Sequence, residues 1–298
     1  MRVFVTGATG FVGSAVVKEL IGAGHQVLGL ARSEAAAASL AAVGAAVHRG
    51  SLEDLESLRR GAASAEGVIH TAFIHDFAQF KANCEIDRQV IEALGAALAG
   101  SDRPLIITSG TGLLSLGRPA AEDDAAPSGA NVVPRVASEE AAAMVAARGV
   151  HVGVVRLPPS VHGVGDHGFV PMLIAVARDK GVSVYVGDGL NRWPAVHRLD
   201  AAHLYRLALE QGRAGERFHG VAEEGVPFKN IAAVIGRRLN IPVVSHSPQE
   251  AAAHFGWFAH FAGMDSPATS AKTQRRLGWR AKQPGLLADL DREPYFES

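Results

Sequence analysis

The chain begins as an alternation of apolar runs and amphipathic stretches. Residues 2–6 (RVFVT) are apolar and rich in β-branched side chains. Residues 11–24 carry apolar positions at helical spacing and end on Gly22 and Gly24, and 25–31 (HQVLGLA) are again a short apolar run. The rhythm continues with a strand within 45–50, an amphipathic helix over 52–64, a strand over 67–73, a long helix over 78–100, a strand over 103–110, a helix over 137–149 and a strand over 151–159. Continuous apolar strands separated by helices predict βαβ units and a parallel sheet covered on both faces. The Ala-rich run 36–48 fits this series as a surface helix and its exit, and is far short of the ~20 residues that span a bilayer. After Pro158 the texture changes to short strands (182–189), helices (200–212, 228–240) and loops. The expected architecture is α/β, with a doubly wound parallel sheet over 1–157. Residues 158–298 mainly form a smaller cap, with some segments returning to the sheet.

Between the first strand and the first helix the chain reads TGATGFVG, which spaces Gly7, Gly10 and Gly13 as G-x-x-G-x-x-G. The first glycine permits a tight turn, the second admits a pyrophosphate, and the third lets helix and sheet pack closely. The helix N-terminus then offers free N–H groups to phosphate. This predicts a dinucleotide site on Gly7, Thr9, Gly10, Phe11, Val12 and Gly13. The second strand ends in GLARS, with Arg32 and Ser33 where an acid would bind an unphosphorylated ribose. A guanidinium and a hydroxyl suit a 2′-phosphate, so the expected cofactor is NADPH/NADP.

Composition narrows the partners. The 298 residues can bury a large core, and a net charge of −1 provides no field for nucleic acid or an anionic membrane. The single cysteine, Cys84, excludes an internal disulfide, fits a reducing compartment and reads as a small buried apolar residue. Met1 runs directly into the first strand, so no leader is expected and the protein reads as cytoplasmic. Oligomeric state stays open.

TGATGFVG resembles the short-chain dehydrogenase/reductase superfamily in its extended, epimerase/dehydratase-like branch, and the resemblance covers nearly the whole chain. VIHTAF is similar to the cofactor segment after the fourth strand, implying Thr71 and Ala72. LIITSG is similar to the segment after the fifth strand, implying Thr108 and a catalytic Ser109 with Thr111 beside it. VVRLPPSVHG resembles the stretch over the nicotinamide, implying Pro158 and Ser160, and WPAVHRLDAAHL resembles a further family segment. The family usually carries GDL after the third strand; here GSL places Ser51 and Leu52 near the adenine. The fold implied is a Rossmann sheet with a small C-terminal substrate domain.

One departure matters. In NVVPRVASEEAAAM (131–144) the helix start that would carry a tyrosine, and a lysine four residues on, carries Arg135 and Glu139. An i, i+4 pair shares one helix face, but arginine cannot act as a general acid with a pKa above ~12. The three tyrosines lie elsewhere: Tyr205 in an apolar helical pattern that reads as core, Tyr185 in a cap strand, and Tyr295 in the tail. Ser109 is the expected hydrogen-bond donor to a developing alkoxide, with Thr108 and Thr111 beside it.

Ligands of open α/β sheets bind at the carboxyl edge. The substrate site is therefore expected between residues 109–113, residues 158–169 and the cap aromatics near Trp257, with Gly110, His75, His162, His167, Phe169 and Trp257 as lining residues. His162, Asp166 and His167 match no metal-ligand spacing, and His197 and Asp200 read as pins between cap and core. The reading is an NADPH-dependent reductase of a bulky, aromatic ketone, similar to tyrosine-less ketoreductases that tailor aromatic polyketide antibiotics. The alternatives are a non-catalytic NADP(H) sensor and a sugar-nucleotide epimerase or dehydratase.

Overall fold

The computed structural model describes residues 1–114, 116–128 and 133–296. Asn131 and Val132, the first two residues of the 131–144 stretch singled out above, lie outside the described residues. The leading half builds β1 (Arg2–Thr6), α1 (Phe11–Gly22), β2 (Gln26–Ala31), α2 (Glu34–Ala42), β3 (Ala46–Arg49), α3 (Leu55–Ala63), β4 (Gly67–His70), α4 (Phe80–Leu98), β5 (Leu105–Gly110), α5 (Ala137–Ala147) and β6 (Val152–Leu157). These strands and β10 (Arg217–His219) form one seven-stranded sheet in the order β10-β6-β5-β4-β1-β2-β3, with every pair parallel. Strand order reverses between β1 and β4, the switch point where a doubly wound sheet opens a ligand crevice.

Both sheet faces are buried, as the continuous apolar strands require. On one face α1 packs against α7 (Arg198–Gln211), around Val16, Leu20 and the fully buried Tyr205. On the other face α3, α4 and α5 pack through Leu58, Ile91, Leu94 and Val145. α7 and β10 thus rejoin the sheet from the second half of the chain. The cap keeps a separate core around Trp193, Phe228 and Phe258. It contains β7 (Ser160–His162), β9 (Arg192–His197) and β11 (Glu223–Pro227) in one sheet, and β8 (Ser183–Val186) beside β12 (Val243–His246) in another.

Two strand ends fall short of the sequence reading, one set by a distant partner and one by proline. The strand expected over 67–73 stops at His70. Thr71 donates its N–H and its hydroxyl to the Thr6 carbonyl, which folds Thr71 and Ala72 over the glycine turn. The strand expected over 151–159 ends at Leu157, before Pro158 and Pro159, and Ser160–His162 pairs with β9 instead. Proline removes the ladder donors that a continuing strand needs.

Candidate functional site

The glycine turn is built by close approach. Gly7 has φ +66°, and a Cβ there would lie 2.7 Å from the Ala72 nitrogen. A Cβ on Gly13 would lie 2.0 Å from the Gly7 carbonyl oxygen. Loop, helix and post-β4 segment therefore touch only because both side chains are absent. No side chain caps α1 at Gly10, so its first N–H groups stay available for phosphate oxygens. Thr9 and Gly10 are exposed and Phe11 and Val12 half-buried around that mouth.

At the β2 end Arg32 and Ser33 are exposed. The Ser33 hydroxyl accepts from the Ala36 N–H and caps α2. A cation not foreseen from the sequence joins this corner: Arg49 donates to the Ser33 carbonyl at 3.1 Å and to Glu34 at 2.6 Å. Ser51 donates to Glu53 at 3.1 Å and Leu52 is half-buried beside it.

The carboxyl edge near β4 and β5 is a connected polar network. Thr108 donates its hydroxyl to the His70 carbonyl at 2.7 Å, so the Tyr205 hydroxyl 2.6 Å away donates to Thr108. Burial pushes the Tyr205 phenol well above its ordinary range, so this tyrosine is a core strut. His70 lies between Thr6 at 2.6 Å and Asp87 at 2.9 Å. Burial alone would raise the Asp87 carboxyl, but Arg135, His70 and Ser138 outweigh it and hold it far below its ordinary value.

Arg135 and Glu139 do not face one another as a dyad. Arg135 donates to Asp87 at 2.7 Å, to Ser138, and to the Thr108 carbonyl at 3.1 Å. Its guanidinium lies 4.1 Å over the centre of the Phe73 ring. Glu139 turns the other way and takes both arms of Arg156 at 2.7 Å. Burial opposes ionisation of Glu139, but the Arg156 fork outweighs it and lowers the carboxyl below its ordinary value. Arg156 also donates to the Asp124 carbonyl at 2.9 Å and to His219 Nε2 at 3.3 Å. His219 is thereby fixed as the neutral tautomer that donates from Nδ1 to the Thr269 carbonyl at 2.8 Å.

The hydroxyls at this edge differ in their partners. Ser109 is 4% exposed, and its single proton goes to Glu139 at 2.7 Å, which leaves none for a substrate oxygen in this conformer. Thr111 and Ser160, at the same edge, bury hydroxyl oxygens that have no partner among the described residues. Buried polar atoms are normally bonded, so these two and the bare glycine turn fit a polar ligand lying along the edge. Gly7 to Gly13 would hold its pyrophosphate, Thr71 and Ala72 would flank it, and Pro158 and Ser160 would border the nicotinamide end.

Opposite lies a wall of rings. Phe77, just after β4, stacks on Trp257 at 4.8 Å and contacts Phe80, Phe169 and Phe261 at centroid distances of 5.7, 6.1 and 6.1 Å. Trp257 stays 57% exposed. Gly112 approaches Met264 of the cap, so residues 109–113 and the aromatic segment meet, with Gly110 half-buried between them.

The histidines divide. His75 is exposed beside Phe73, and His167 is exposed against Phe11 at 5.7 Å, so both border the crevice. His162 is instead buried on Asp289 at 2.9 Å, under Tyr295, where it fastens the C-terminal segment to the cap. His197 caps α7, and Asp200 accepts the backbone N–H groups of Lys282 and Gln283. Among the described residues no cluster of three metal-ligating side chains occurs, and no helix is long and apolar enough to cross a membrane.

A model of the NAD dependent epimerase/dehydratase family matches residues 3–221. The chain belongs to that family. An uncharacterized protein of Schizosaccharomyces pombe is 52% identical over 300 residues, 99% of this chain and all of the relative. The 4-hydroxy-2-methyl-3-oxo-4-farnesyl-3,4-dihydroquinoline-1-oxide ketoreductase of Stigmatella aurantiaca is 26% identical across 97% of this chain and 95% of its own. Among solved structures, the dTDP-glucose 4,6-dehydratase DesIV of Streptomyces venezuelae, with NAD and TYD bound, superposes with a TM-score of 0.79. It is 22% identical, over 99% of this chain and 96% of its own. The Rossmann-type sheet of this epimerase/dehydratase-family member is thus the fold the sequence implied.

Sequence reasoning missed Phe77, Arg49 and the Asp87 partner of Arg135. Phe77 was legible as half of the FAQF pair beside the fourth strand. The ion-pair partners lie 48 and 17 residues from their arginines, and no local pattern announces them.

Proposed function

We propose that the protein is an NADPH-dependent carbonyl reductase acting on the ketone of a bulky, aromatic substrate. The observation that carries this reading is the Phe77–Trp257 stack with Phe169 and Phe261 packed around it, which gathers aromatic rings beyond the carboxyl end of β4 and leaves Trp257 exposed. Aromatic faces offer offset stacking to a planar ring beyond plain area burial. The similarity to a ketoreductase whose named substrate contains a dihydroquinoline supports the same class. Bound NADPH supplies the hydride. The chain's own part is to hold the phosphates, exclude water with the ring wall, and present Thr111 near the reacting oxygen. A guanidinium is no general acid near neutral pH and Tyr205 is locked in the core, so the proton comes from solvent or from the substrate. Arg32, Ser33 and Arg49 together favour the 2′-phosphate.

The test is NADPH consumption with a panel of aryl and alkyl ketones. Turnover restricted to aryl ketones, with Trp257→Ala lowering kcat/KM by about tenfold or more, is expected. NADPH binding with no consumption on any ketone would replace this reading with a cofactor-sensing one. The absent tyrosine–lysine pair weighs against sugar-nucleotide chemistry.

A further inference from the structure

Arg135 is held on three sides and has donors left over. Nη1 serves Asp87 and Ser138, and one Nη2–H serves the Thr108 carbonyl. The Nε–H and the second Nη2–H have no acceptor among the described residues. Nε and Nη2 are the nitrogens with which Arg156 grips both oxygens of Glu139. The Arg135 side chain is 16% exposed, while its partner Asp87 is 2% exposed. One guanidinium face is covered by Phe73 at 4.1 Å. Phe73 continues through Phe80, at 6.1 Å, and Phe77 to Trp257. The guanidinium that keeps these donors therefore meets the chain of rings at Phe73.

We propose that Arg135 recognises an ionised oxygen, a carboxylate or phenolate, carried on the aromatic substrate, and so acts as a specificity residue. The inference rests on the aromatic-ketone reading and narrows it to acidic aromatic ketones. The Asp87 carboxylate offsets the net charge of Arg135, so selectivity comes from directed, charge-assisted N–H donors and not from a long-range field. Asp87, Ser138, the Thr108 carbonyl and Phe73 fix the guanidinium in advance, so little side-chain entropy remains to be lost on binding. A neutral ligand of the same shape leaves the two donors without an ionised acceptor.

The experiment uses the full-length protein saturated with NADP and measures binding by calorimetry, without turnover. The probes are 2-naphthoate, its neutral isostere 2-naphthamide, and a nitro-substituted naphthol that is ionised at neutral pH. Wild type is expected to bind at least one anion about tenfold or more tighter than the amide, the discrimination a charge-assisted bond supports. Which anion gains separates carboxylate from phenolate. Arg135→Lys keeps a positive charge against Asp87 but removes the planar fork, and Arg135→Gln removes the charge. In both, the anion preference should shrink to within about threefold while amide affinity is kept. Should Arg135→Gln fail to fold, Arg135→Lys carries the test alone. The proposal is overturned if wild type binds the amide as tightly as both anions, or if the preference survives substitution. It is also overturned if Arg135→Lys weakens NADP binding as much as the anion, since Arg135 would then hold the cofactor. Failure of the reductase reading has a separate signature: anion discrimination persists, but no acidic aryl ketone consumes NADPH.

Discussion

Arg135, just ahead of α5, and Arg156, on β6, each pair with a buried carboxylate, and they differ in what the pairing leaves over. Arg156 is fully buried and uses four of its five N–H groups, two on Glu139 and one each on Asp124 and His219. Arg135 is 16% exposed and uses three. A fully buried guanidinium that spends four donors on internal acceptors ties elements together; here it joins α5, β6, β10 and residue 124. One that keeps donors at a crevice edge can also meet a ligand. Residue type alone would rank the two equally.

The largest expected effect is on stability. Arg156→Ala removes the close fork from buried Glu139 and leaves only Arg217, 3.9 Å away, as a cationic partner; breaking such a buried pair costs about 3–5 kcal/mol. Arg135→Ala should cost roughly half as much, because Asp87 keeps His70 and Ser138 and water reaches the site. Urea midpoints of the two variants measure the difference. The pH dependence supplies a sign. In the native protein the Glu139 carboxyl is lowered from 4.5. Its contribution is complete above that value and is lost as pH falls through the folded pKa. Without Arg156, burial raises the same carboxyl, so its contribution in the variant is present at low pH and lost as pH rises. Parallel pH profiles for wild type and Arg156→Ala would break the comparison.

The next effect concerns the hydroxyls, which divide as the arginines do. Ser109 belongs to the Arg156 side because its proton lies on Glu139, whereas Thr111 keeps a buried hydroxyl with no partner among the described residues. Thr111→Val should lower kcat by about a hundredfold, the scale of losing one donor to a developing oxyanion. Ser109→Ala should change kcat by less than about fivefold and cost about 1 kcal/mol of stability. A larger kcat loss for Ser109→Ala would show that Ser109 rotates off Glu139 during turnover.

How much of this was legible follows from the range of each interaction. The alternation of 2–6, 11–24 and 25–31 reports period and burial, and β1, α1 and β2 follow it closely. Gly7 and Gly13 were legible because their demand is local: a Cβ at either would strike backbone within 3 Å. The strand after 67 was read three residues too long because its end is set by Thr6, 65 residues away in sequence. For the same reason the partners of Arg135 and Arg156 were invisible. Helical spacing placed Arg135 and Glu139 one turn apart, on one face. The fold then turned each to a different carboxylate–guanidinium pair, drawn from α4 and from β6. Ser109 was assigned by position along the chain, and only the geometry shows where its proton goes.

A third arginine extends the series to the exposed surface. Arg32 stands at the end of β2 in solvent, near Arg49, which is occupied with Glu34. A contact between Arg32 and a 2′-phosphate would be charge-assisted but screened on the water side, so it should be worth less than the buried pairs, about 1 kcal/mol. Arg32→Ala is therefore expected to weaken NADPH binding about fivefold and leave NADH binding unchanged. Because the contact is exposed, the wild-type preference for NADPH should itself fall as salt is raised from 0.05 to about 0.5 M and the screening length shortens. Fluorescence titration of both cofactors, in both proteins at both salt concentrations, measures these quantities. Equal binding of NADPH and NADH by the wild type at low salt would remove the phosphate from this corner. A preference unchanged by Arg32→Ala would move it to Arg49 and Ser33.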